Sequence, residues 1–184
     1  GENGAEKPTT IKLLLKMIRK DSGEIKLLGQ DYTACSMEDI GVVTEENGFP
    51  ESLNASEMNK ILKNIYKNWD KEIYFGYLRE FEIPLDKKIK TFSKGMKMKL
   101  YIATALAHDA KLLILDEATS GLDPVVRNEI LDIFNEFTRD EEHSVLISSH
   151  IVSDLEKICD YIAFMHKGKL ILCEEKDELL YDYC

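Results

Sequence analysis

Residues 112–117 of the 184-residue chain read Leu-Leu-Ile-Leu-Asp-Glu. Four apolar residues in a row have the length of a strand buried on both faces. Such a strand delivers Asp116 and Glu117 to its carboxyl end, where α/β proteins form the crevice that binds ligands. A polar turn after a strand is common by itself, so the surroundings must decide. Three further stretches carry polar side chains at similar places. Ser93-Lys94-Gly95-Met96 opens a helical pattern. Ser120-Gly121-Leu122-Asp123 follows the two carboxylates. Ser148-Ser149-His150 follows a second apolar run.

The first ten residues, GENGAEKPTT, come close to the phosphate-binding pattern G-x-x-x-x-G-K-[ST]. In that loop glycines let backbone N–H groups turn inward around phosphates. The lysine neutralises phosphate oxygens, and the following hydroxyl holds Mg²⁺. Gly1, Gly4 and Lys7 match, but Glu6 stands at the last glycine and Pro8 at the hydroxyl. Glu6 places a carboxylate beside a polyanion, and Pro8 removes an N–H as well as the hydroxyl. Thr9 is one residue further on, about 100° around the helix.

The elements that must position these groups alternate between two periodicities. Ile11, Leu14, Leu15 and Ile18 predict a helix over Thr9–Lys20, ended by Asp21-Ser22-Gly23. Glu24–Leu28 and Ile40–Val43 predict strands, and Thr44–Asn54 a polar loop. Met58, Ile61, Leu62, Ile65, Tyr66 and Trp69 trace one helical face, with Ser56 as its N-cap. Further helices are expected over Lys71–Glu82 and Gly95–Ala107, the latter after a basic loop. Asp123-Pro124 is a helix start, and Val145–Ser148 a second buried strand. After a short helix, a hairpin turns at Lys167-Gly168 and a last helix covers Glu174–Tyr181. The sum is one α/β domain over 1–184 with a mainly parallel sheet, interrupted by a helical sub-domain at about 55–107.

Composition narrows the function. Hydrophobic residues make up 44% and charged residues 32%, ordinary for a globular domain. The net charge is −10, and the carboxylate excess falls almost wholly after residue 95, which disfavours nucleic acid as a partner. No apolar run reaches the ~20 residues of a membrane span. The four cysteines are scattered without a Cys-x-x-Cys pair, so reduced thiols are expected.

Together, in this order, the motifs resemble the ATP-binding cassette (ABC) transporter ATPase family over essentially the whole chain. Phe92-Ser-Lys-Gly-Met96 is similar to the family signature Leu-Ser-Gly-Gly-Gln, and residues 115–124 are close to its Walker B and D-loop. The resemblance implies a P-loop NTPase fold whose helical sub-domain carries the signature. It implies ATP and Mg²⁺ as cofactors. Gly1, Asn3, Gly4, Lys7 and Thr9 would hold the phosphates, and Asp116 and Glu45, at the Q-loop position, would serve the metal. Glu117 would polarise the attacking water, and His150 would be the switch histidine. Ser93, Gly95 and Asp123 would act across a head-to-tail homo- or heterodimer. The partners implied are transmembrane permease subunits on the inner face of the cell membrane, docked on residues 44–95. Tyr66, Trp69, Tyr74, Phe75 and Tyr77 are candidates for that groove, with core packing the plainer expectation. Glu6, Pro8 and Glu45 depart from the family pattern, and the strands that normally precede the P-loop are expected to be missing. Weak ATP binding follows as an expectation. The alternative is a non-hydrolysing scaffold or regulatory module.

Overall fold

The computed structural model describes residues 6–44 and 49–183. Three parallel strands form the central sheet: β3 (Ile40–Thr44), β4 (Leu112–Asp116) and β5 (Ser144–Ser148), with β4 in the middle. Thr44, Asp116 and Ser148 are in register, so all three strands end at one level.

The apolar run of β4 exists because both faces of this sheet are covered. Leu113 and Leu115 point into one core with Val43 of β3. Leu112 and Ile114 point into a second core with Ile11, Leu27, Tyr32, Cys35 and Ile40. Each fully buried side chain of this size contributes about 1.5–3 kcal/mol. Before β3 lie α1 (Glu6–Leu14) and a small antiparallel pair, β1 (Lys26–Leu27) with β2 (Gln30–Asp31). The first core is closed by α2 (Ala55–Leu62), α3 (Lys71–Glu80), α4 (Lys94–Leu106) and α5 (Pro124–Phe137). After β5 come α6 (Val152–Ile158), the hairpin β6 (Tyr161–His166) and β7 (Lys169–Glu175), and α7 (Lys176–Tyr183).

Several expectations shift. α1 ends at Leu14 rather than Lys20, because Lys16 turns left-handed (φ 58°) and its amine donates to the Cys35 carbonyl at 2.9 Å. The first expected strand shrinks to Lys26–Leu27. α2 stops at Leu62, and Ile65 beyond it is 60% exposed. Its cap is Asn54, not Ser56: Asn54 accepts from the Glu57 amide while Glu57 accepts from the Asn54 amide. β5 is an edge strand with Leu146 41% exposed, not a strand buried on both faces. Tyr74 is fully buried, its hydroxyl donating to the Ala55 carbonyl, and Trp69 packs on it while donating to Asn59. These two aromatics are core, not docking surface. The basic stretch is partly neutralised: Lys88 pairs with Glu57, Lys97 with Glu51 and Lys99 with Glu129. The hairpin turn forms as expected, with Lys167 (φ 49°) and Gly168 (φ 73°) both left-handed.

No helix among the described residues is long and apolar enough to cross a membrane. The described cysteines, Cys35, Cys159 and Cys173, are free thiols.

Candidate functional site

The level end of the sheet is where the chemistry gathers. β4 ends on Asp116, and the chain then turns sharply at Glu117, whose φ of 50° is left-handed. A non-glycine residue pays for that conformation and keeps it only where its surroundings over-determine it. Here they do. The Glu117 amide donates to the Ser148 carbonyl at 3.0 Å, and the Ser120 amide closes the turn onto the Glu117 carbonyl at 3.0 Å. The Ser148 hydroxyl donates to Asp116 Oδ1.

Both oxygens of Glu117 are engaged. The Lys7 amine, from the first turn of α1, lies 3.3 Å from Oε1. His150, in the link between β5 and α6, places Nδ1 2.7 Å from Oε2. A carboxylate can only accept, so Nδ1 is assigned as the donor in this pair. Lys7 and Glu117 are three-quarters buried, whereas His150 is exposed. The cluster is therefore a partly exposed group of one cation, two carboxylates and an imidazole at the ends of the strands.

A second group of expected residues assembles elsewhere. Ser93 caps α4, accepting from the Met96 amide at 3.2 Å. Asp123 caps α5, accepting from the Val125 amide at 2.9 Å, with Pro124 at the first helical position. The two helix starts pack together. A side chain on Gly95 would come within 3.0 Å of Val126, and one on Gly121 within 3.2 Å of the Lys94 amine. Ser93 and Asp123 are exposed and Gly95 is half-buried, and among the described residues no hydrogen bond joins the three to Glu117. Thr9 is exposed on α1. Gly1, Asn3, Gly4 and Glu45 lie outside the described residues.

Three contributors escape motif reading. Ser148 holds Asp116, a pairing legible only once β5 is registered against β4. Thr119 and Asp154 are both fully buried, and the Thr119 hydroxyl donates to Asp154 Oδ2 at 2.7 Å. Asp154 also pairs with the Arg127 guanidinium at 3.3 Å. A charged residue in the first turn of a helix reads from sequence as a solvated one, so nothing signalled its burial.

The chemistry of the donor set fits a hard divalent cation beside a phosphate group. Asp116, Glu117 and Ser148 offer hard oxygen donors, and Lys7 offers a cation for phosphate. Pro8 sits in the first turn of α1, where a missing N–H costs the helix nothing.

A parallel sheet with charged groups gathered at the carboxyl ends of its strands has the architecture of an α/β ligand-binding fold. The ABC transporter family model matches residues 1–120. The uncharacterized ABC transporter ATP-binding protein YhcH of Bacillus subtilis is 36% identical over 97% of this chain and 60% of its own length. The lantibiotic transport ATP-binding protein SrtF of Streptococcus pyogenes is 37% identical over 96% of this chain and 77% of its own. A solved structure of an ATP-binding subunit of an ABC transporter superposes with a TM-score of 0.84 at 27% identity, covering 98% of this chain and 78% of that one. The chain belongs to the ABC transporter ATP-binding family. The chain spans 60% of the length of YhcH.

Proposed function

We propose that this chain is the ATP-binding and ATP-hydrolysing part of an ABC transporter, working with separate permease subunits. The observation that carries the reading is Glu117, held between Lys7 and His150 beside Asp116 at the carboxyl end of the central strand. When bound, Mg-ATP supplies the transferable γ-phosphoryl group, with the metal neutralising its charge.

The residues divide the work. Lys7 binds phosphate oxygens, leaving Glu117 as it does so. Asp116, held by Ser148, serves the metal, with Glu45 as the second candidate. Glu117 orients the attacking water and accepts its proton at a carboxylate oxygen. His150, its Nδ1–H on Glu117, turns Nε2 toward the phosphate side. Two carboxylates and an imidazole kept in this order serve hydrolysis, and they favour it over a non-hydrolysing scaffold.

Ser93, Gly95, Lys94 and Asp123 form the edge that a second ATP-binding domain would meet, a helix N-terminus being suited to phosphate. The permease partner would sit on the helical sub-domain, and the chain would be peripheral on the cytoplasmic face of the membrane. Glu6 and Pro8 make ATP binding weak in this sequence. Titration of the chain with Mg-ATP before and after Glu6→Gly with Pro8→Thr tests this. Tight binding by the unaltered chain would contradict it.

A further inference from the structure

We propose that Asp154 is a positioning residue that locks the segment carrying His150 onto the turn carrying Glu117. Its carboxylate is 0% exposed. Oδ2 accepts from the Thr119 hydroxyl at 2.7 Å, and Oδ1 lies 3.3 Å from Arg127 Nε. Neither Oδ1 nor that Nε makes an aligned hydrogen bond. A buried, badly aligned ion pair is a poor way to stabilise a fold, because desolvation cancels its attraction. Its geometry serves register better.

The three groups come from three segments that meet here. Thr119 is two residues after Glu117. Arg127 is in the first turns of α5, after the Asp123 cap. Asp154 is four residues after His150 and sits in the first turn of α6. Beyond the strand ends, two side-chain bonds join residues 149–154 to residues 117–120 among the described residues. One is His150 to Glu117, and the other is Asp154 to Thr119. The first is exposed and includes a residue in a strained conformation. The second is buried and made by two side chains with no solvent to compete. The buried bond therefore sets the spacing at which the exposed one forms.

The catalytic consequence rests on the reading of Glu117 and His150 given above, so the test has two readouts. The full chain is compared with Thr119→Val, which removes the donor at nearly constant volume, and Thr119→Ser, which restores it. For Mg-ATP turnover, Thr119→Val is expected to lower kcat about tenfold with KM unchanged, with recovery in Thr119→Ser. In a His150→Ala background the same Thr119→Val change is expected to cost nothing further, because it acts through His150. Independently of turnover, the His150 imidazole resonances should move toward those of a free surface histidine in Thr119→Val and return in Thr119→Ser. Equal losses of kcat in the two backgrounds, or His150 resonances that stay put, would overturn the proposal. A wild-type chain that turns over no ATP would sink the catalytic reading alone, and the resonances would still decide the lock. Should Thr119→Val fail to fold, Thr119→Cys, with its weaker donor, is read by the same resonances and the same two outcomes apply.

Discussion

Lys7 reaches from the first turn of α1 to within 3.3 Å of Glu117, so the lysine expected to bind phosphate rests on the carboxylate expected to activate water. The pair is three-quarters buried but open to the crevice. A quarter of each side chain remains in water, so screening holds the pair near the surface range of about 0–1 kcal/mol. Against a phosphate the same amine makes a charge-assisted contact worth about twice a neutral hydrogen bond. Lys7→Met is therefore expected to leave the unfolding midpoint nearly unchanged while weakening Mg-ATP binding about tenfold or more. Thermal unfolding and calorimetric titration of one preparation check both halves.

Glu6→Gly with Pro8→Thr should act in the opposite sense. Two like charges ~4 Å apart repel by about 4 kcal/mol at an effective dielectric near 20, and screening by solvent reduces that. A gain in Mg-ATP affinity of about 10- to 100-fold is expected, each factor of ten being 1.4 kcal/mol. Far-ultraviolet circular dichroism should not change, because Pro8 already sits where a helix tolerates it.

Gly41 lets β3 lie close against the first core. A Cβ there would stand 2.6 Å from Leu113 Cδ2 and 3.0 Å from the Ala105 Cβ, both buried. Leu113 has nowhere to retreat, because α4 and the sheet enclose it. Gly41→Ala is expected to destabilise the chain by about 1–3 kcal/mol through overpacking. Urea unfolding should show a lower midpoint with an unchanged slope.

His108 predicts a pH effect. It is buried, stacked on Tyr66 at 4.1 Å, with Nδ1 3.0 Å from the Glu38 carbonyl. Burial pushes its pKa below 6.5, outweighing that hydrogen bond and the nearby Asp109 and Glu38 carboxylates, which push the other way. The unfolded chain therefore takes up a proton first as pH falls. Stability from neutral His108 is complete above about pH 6.5 and is lost as pH drops through the lower folded value. Unfolding free energy measured from pH 7.5 to 5 should fall with pH, and less steeply in His108→Gln. Identical slopes would refute the assignment.

The central strand, the hairpin and the helix start at Asp123 were legible because each has a local cause. An apolar run, a Lys-Gly turn and a side chain that caps its own helix need no distant partner. α1 and α2 came out shorter than their apolar spacing, because Lys16 and the residues after Leu62 answer to contacts elsewhere. Asp116, Glu117 and His150 could be named from sequence. That Lys7 and His150 flank the same carboxylate could not, because it depends on β4 lying beside β5 and on α1 packing against β4. Asp154 was hidden for the same reason: its burial is set by Thr119 and Arg127, which come from other elements.

The most direct measurement is Mg-dependent ATP turnover by the complete transporter carrying either this chain or its Glu117→Gln form. The amide keeps the size of the side chain but cannot accept the proton of the attacking water, and general-base loss typically costs about 10²–10⁴-fold. Expected is a fall of that order in kcat with Mg-ATP still bound. Equal turnover by the two forms would contradict the assignment of Glu117, and with it the crevice between Lys7 and His150 as the place where ATP is hydrolysed.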